Sequence, residues 1–175
     1  MKYEIAGLTV TEPVMPEEAA IAWAMMRPEE RQEARDAGIG FRAHDEAIIR
    51  AERSFAIYHR DVLLALALVG RLPDGRKLLE MERTENALKP GHRFTWLRGY
   101  GPLSRFLVEK VGEVVFVTPA DLPRALDVYK HAGAERTGET LRIGGREYWV
   151  MRIRRERKKE NKRGGRDGSA TELYT

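Results

Sequence analysis

The order of apolar and turn-forming segments predicts an α/β domain of the α+β kind, a mixed and largely antiparallel sheet with helices packed on both faces. Three observations carry this. Strand-like and helix-like segments interleave without a regular βαβ repeat. The run Val62 to Val69 is apolar at every position, which suits a central strand covered on both sides. Gly144-Gly145 separates two extended runs and supplies the positive φ values of a tight antiparallel hairpin. A chain of 175 residues fits one domain plus a tail. At this size roughly 70% of the unfolded surface becomes buried, so the core needs neither disulfides nor a structural metal.

Taken in order, Lys2 to Val10 alternates weakly and reads as a first strand ended by Pro13 and Pro16. Pro16 suits the first turn of a helix over about 16 to 27, with Ala20, Trp23 and Ala24 at helical spacing. Pro28 starts a second, highly charged helix through about Ala37, with Gly38 as its cap. A short helix over about Asp45 to Arg53 precedes strands at Ser54 to His59 and Val62 to Val69. Leu72-Pro73-Asp74-Gly75 reads as a turn and Lys77 to Arg83 as a strand. His92 to Leu97 fits either a strand or a helix. A helix then starts with Pro102 at its first position and continues through Leu103, Phe106, Leu107 and Lys110. Glu113 to Val117 is a short buried strand, and Asp121 is placed to cap a helix whose apolar face is Leu122, Ala125, Leu126, Tyr129 and Ala132, stopped by Gly133. Glu139 to Ile143 and Arg146 to Ile153 form the closing hairpin.

The charge is uneven. From Arg152 onward there are nine Lys/Arg against four Asp/Glu, so most of the formal +4 belongs to the end of the chain. Residues 1–153 read as the folded domain and 154–175 as a basic tail, flexible or ordered by a partner, with too little apolar content to order itself. Such a tail serves as a solubilising end, a dock for an acidic protein surface, or a nonspecific DNA contact; no interleaved aromatics mark it for base stacking. The absence of cysteine removes disulfide frameworks, thiol nucleophiles and thiolate zinc sites. His44, His59, His92 and His131 show no i, i+4 pairing, so no metal site is expected. No apolar run approaches the roughly 20 residues of a membrane span, and the start of the chain lacks a signal-peptide pattern, so a soluble protein made inside the cell is expected.

Three groups of residues are candidates for chemistry. Gly99 and Gly101, between an aromatic segment and a helix, fit either a turn or backbone amides presented to a phosphate, with Pro102 removing one donor. Tyr129 lies mid-helix on an apolar face, where its phenol serves as a core residue with a polar tip or as a general acid. Glu80 and Glu82 alternate with Leu79 and Met81, which places both carboxylates on one face of a strand, toward solvent or toward a cleft where one acts as a base.

Asp121 to Gly138, DLPRALDVYKHAGAERTG, resembles the late helix and following strand of the GNAT superfamily of acetyl-CoA-dependent N-acetyltransferases. Ala125, Tyr129 and Gly133 match its pattern, while Leu122 and Ala134 stand where the superfamily has Asn and Phe. Arg98-Gly99-Tyr100-Gly101-Pro102-Leu103 is similar to the superfamily's pyrophosphate loop, with Leu103 in place of its final small residue. The resemblance implies acetyl-CoA as cofactor, held by Arg98, Gly99, Tyr100, Gly101 and Leu103. It also implies a proton relay through Glu80 or Glu82 and a leaving thiolate protonated by Tyr129.

Residues 25 to 153 also resemble the GNAT-like internal virion protein A family of short-tailed bacteriophages. The resemblance rests on Glu33-Ala34-Arg35-Asp36-Ala37-Gly38-Ile39, the small apolar strand Leu63 to Gly70, and Lys130-His131-Ala132-Gly133-Ala134. It implies a structural role in virion assembly without cofactor or catalysis. Residues 154–175 would dock to capsid, portal or tail components, and the protein would reside in the virion and, during assembly, in the host cytoplasm. In that family the segment near 84 to 111 is mainly one long helix. The expected function is this virion role, with an active acetyltransferase as the alternative.

Overall fold

A computed structural model describes residues 1–36 and 40–155. The expected cap at Gly38 and residues 156–175 of the tail lie outside the described residues. The strands are β1 (Lys2–Ile5), β2 (Leu8–Thr11), β3 (Arg53–His59), β4 (Val62–Arg71), β5 (Lys77–Arg83), β6 (Val114–Pro119), β7 (Glu135–Ile143) and β8 (Arg146–Ile153). The helices are α1 (Pro16–Ala24), α2 (Pro28–Asp36), α3 (Phe41–Arg50), α4 (Pro90–Val111) and α5 (Pro123–His131). The strands form one sheet in the order β1-β2-β3-β4-β5-β6-β8-β7, antiparallel at every pair except β5 and β6.

The first predicted strand is in fact a hairpin, because Ala6 and Gly7 take positive φ and fold β2 back on β1. As predicted, β4 is the strand covered on both faces. Ala65, Ala67 and Val69 join a cluster with Trp96, Leu103 and Leu107 of α4 and Leu126 of α5. Leu66 and Leu68 join a second cluster with Ala19 and Ala22 of α1 and Ile48 of α3. At about 25 cal/mol per Å2 of apolar surface, these two layers supply most of the drive to fold.

α4 departs from the local reading of this stretch and from the phosphate-loop resemblance, and is the one long helix that the virion-protein resemblance implied. One helix runs through His92 to Leu97 and past Pro102, so Arg98, Gly99, Tyr100, Gly101 and Leu103 occupy a helix interior and not a loop. Packing overrides the local preference of Gly and Pro. Gly99 is buried against Leu8, and a Cβ built there would stand 2.6 Å from Leu8 Cδ1, so glycine is what lets the helix approach β2. Leu103 is fully buried in the core beneath the same helix. Peptide groups inside a helix are engaged in its own ladder, so these residues form no phosphate cradle. Asp121 is likewise displaced from its expected role: Leu122 is the N-cap of α5, and Asp121 accepts from Arg146 Nη2 at 2.9 Å.

Candidate active site

The site begins with a break in the sheet. β5 pairs with β4 along its whole length, from Arg71↔Lys77 to Ala65↔Arg83, but meets its parallel neighbour β6 only at Leu78↔Val115. Beyond that point the two strands share no ladder. The amide of Thr84 donates to Leu64 O at 2.8 Å. The alternation of an antiparallel ladder then turns Glu80 and Glu82 toward β4 with their peptide groups, and directs those of Met81 and Arg83 into the opening beside β6.

Side chains alternate in the other sense. Leu79 and Met81 belong to the α4 layer, so Glu80 and Glu82 project on the face of α1 and α3. There His44 of α3, only 3% exposed, bonds through Nε2 to Glu82 Oε2 at 2.5 Å. Its ring packs on Trp23 at 5.2 Å, and Trp23 lies 6.2 Å from Phe41. Glu80 lies exposed on the same face. Desolvation by the protein packed about it, and then the charge of Glu82, raise its carboxyl above the ordinary value of 4.5, with His44 opposing.

The α1–α2 joint is stitched to the end of β5. Met26 forms a bridge with Thr84, and the amide of Glu85 donates to Met25 O at 2.8 Å. Arg31 Nη2 donates to Ala24 O and Met26 O, satisfying carbonyls at the end of α1. Arg83 donates to Glu30 of α2 at 2.9 Å.

The α4 side of the opening carries phenols. Tyr129 of α5 packs on Phe116 of β6 at 5.0 Å and faces Tyr100 at 6.1 Å. Burial, then Tyr129, push the Tyr100 hydroxyl well above its ordinary 10, so it stays protonated. Carboxylates on one face of the opening and phenols on the other provide a proton acceptor and a proton donor on opposite sides of whatever enters between the strands.

The fold is similar to that of solved structures. An acetyltransferase of the GNAT family from Bacillus anthracis superposes with a TM-score of 0.61 at 8% identity, covering 88% of this chain and 98% of that one. The fold is that of the GNAT N-acetyltransferases. The spermidine N-acetyltransferase of Vibrio cholerae, solved with CoA and spermine, gives 0.61 at 13% identity over 85% of this chain and 96% of its own. The ribosomal-protein-S18-alanine N-acetyltransferase of Escherichia coli gives 0.54 at 16% over 88% and 97%. No protein-family model matches the chain, and no curated protein sequence is similar to it.

Within this GNAT fold the segment between β5 and α4 is Thr84 to Lys89, not Arg98 to Leu103. It forms a tight turn, Glu85–Leu88, in which the amides of Ala87 and Lys89 bond Thr84 O and Asn86 O. His92 and Arg93 both donate to Lys89 O, while Gly91, with open space about it, keeps its amide outside these bonds. Glu80 and Glu82 lie on the α1 and α3 face of β5, and Tyr129 lies on the α4 side, packed on Phe116 of β6. His44 escaped the sequence reading, which weighed histidines only as metal ligands. The discernible signal is its i, i+4 spacing from Ile48 on the buried face of α3. Among the described residues no group of three or more His, Cys, Asp or Glu gathers as a metal site, and no helix is long and apolar enough to cross a membrane.

Proposed function

We propose that the protein is an acetyl-CoA-dependent N-acetyltransferase. The observation that carries this is the parallel pair β5 and β6, joined at a single register position and open beyond it, with carboxylates on one face and Tyr129 on the other. The opening fits an extended amide-bearing arm, since the peptide groups of Met81 and Arg83 face it and would pair with such a chain as a sheet edge does. Gly91 at the start of α4 offers an amide and the positive end of a helix to phosphate. When bound, acetyl-CoA supplies an activated acetyl thioester.

The chain's own residues handle protons and position. Glu80, its carboxyl raised by burial and by the charge of Glu82, takes a proton of the acceptor's ammonium, and the freed amine is the nucleophile. Tyr129 holds a proton at its hydroxyl for the departing sulfur. No covalent enzyme intermediate is required, so a chain without cysteine is competent. Titrating acetyl-CoA to 100 times its Kd is expected to add about 2.7 kcal/mol, a rise in Tm of roughly 5–10 °C for a domain of this size. No shift at saturating concentrations would overturn the proposal.

One observation favours a second reading, the structural virion role implied by the resemblance at Glu33–Ile39 and Lys130–Ala134. Of the segment Thr84 to Lys89, the amides of Thr84, Glu85, Ala87 and Lys89 are already bonded to Leu64 O, Met25 O, Thr84 O and Asn86 O, which leaves few to cradle a diphosphate. On that reading the chain is indifferent to acetyl-CoA. Deleting residues 156–175 then gives a folded protein that no longer joins its particle; normal assembly without them would exclude docking through the tail.

A further inference from the structure

Glu80 and Glu82 share a face, yet their surroundings differ in a way that assigns them different work. Glu80 is the open carboxylate with the raised value. Glu82 is tethered: one oxygen bonds His44 Nε2 at 2.5 Å, and its side chain remains 21% exposed. The cation nearest in sequence, Arg83, is committed to Glu30 at 2.9 Å, so it does not cancel Glu82. On the His44 ring packs Trp23, half-buried, and next to Trp23 at 6.2 Å lies Phe41, 46% exposed. Carboxylate and aromatic faces together are the surroundings that hold an organic ammonium, by charge and by the negative face of the rings.

We infer that Trp23, Phe41 and Glu82 form a binding subsite for an organic ammonium group of the acceptor, with His44 as the residue that orients Glu82. The inference rests on the acetyltransferase reading for the word acceptor, but the subsite binds its cation without acetyl-CoA. His44 suits an orienting role by its tautomer. Donation from Nε2 leaves Nδ1 as a bare acceptor, and that atom is buried with no hydrogen-bond partner. A lone pair without a donor is cheaper to bury than an N–H without an acceptor, so the packing selects the ring form that donates to Glu82. A ring locked in this way holds the Glu82 carboxylate in one orientation.

The probe is n-butylammonium, with 1-pentanol as its uncharged counterpart, read from the Trp23 indole resonance assigned with Trp23→Phe. Butylammonium is expected to shift that resonance saturably and pentanol not to. Glu82→Gln is expected to weaken binding at least tenfold, and His44→Ala about tenfold. His44→Gln, whose amide can still donate, should restore most of the affinity. Equal response to pentanol, no response to butylammonium, or unchanged affinity in Glu82→Gln overturns the subsite. His44→Ala binding like the parent, with its fold intact by the same spectrum, overturns the orienting role. An acetyl-CoA thermal shift that survives in Glu82→Gln separates failure here from failure of the acetyltransferase reading.

Discussion

Glu80 connects a strand position to a proton. Its folded-state carboxyl is raised, first by burial and next by Glu82, so the native chain holds that proton more tightly than the unfolded chain does. Stability from this source is complete below the ordinary glutamate value of 4.5 and is lost as pH climbs through the higher native value. Glu80→Gln should therefore flatten that part of the stability profile, which urea midpoints across the acid range will show. Asp121 and Glu135, lowered first by their hydrogen bonds to Arg146 and Arg152, slope the other way in both proteins and cancel in the difference. The same substitution should cost acetyl transfer about 10²- to 10⁴-fold, the usual worth of a positioned base. A rate within a few-fold of the parent would remove Glu80 from that role.

At the scale of elements, α4 shows how a helix is selected against its own composition. Gly99, Gly101 and Pro102 all weaken a helix interior, glycine by about 1 kcal/mol relative to alanine and proline by about 3. The helix persists because Trp96, Leu103, Leu107, Val108 and Val111 are buried along one side of it. Gly99 is the point of closest approach to β2. Gly99→Ala should gain helix propensity yet lose more by overpacking, about 1–3 kcal/mol, because the atom it meets belongs to the fully buried Leu8. Leu8→Ala makes room, so the double variant should unfold at a higher denaturant concentration than additivity of the two single losses allows. Strict additivity would show that Leu8 moves aside freely.

At the scale of the whole molecule, both core layers and all eight strands of the described residues lie before residue 154, and the described chain ends with Arg155 bonded to Glu109 O at 2.6 Å. Removing residues 156–175 is expected to leave the unfolding midpoint within about 2 °C of the full chain, the range of a surface change. A larger loss, measured by calorimetry, would mean that the basic segment belongs to the domain and is not an appendage to it.

The parts legible in the sequence were those set by neighbours along the chain. The all-apolar run of β4, the Lys77–Arg83 strand, the Gly144-Gly145 hairpin and the face shared by Glu80 and Glu82 follow from period and turn chemistry, which act over a few residues. Tyr129 was found because helical spacing puts it on an apolar face. Three things were decided only by the fold. The helix expected from Pro102 extends back through Gly101 and Gly99, against the local signal of the two glycines, because burial outweighs propensity. The opening between β5 and β6 exists because two strands distant in sequence run parallel and meet at one position. His44 reached Glu82, thirty-eight residues away, through the packing of α3 on the sheet. Periodicity reports which side of an element faces inward; it carries no information on what another element brings to meet it.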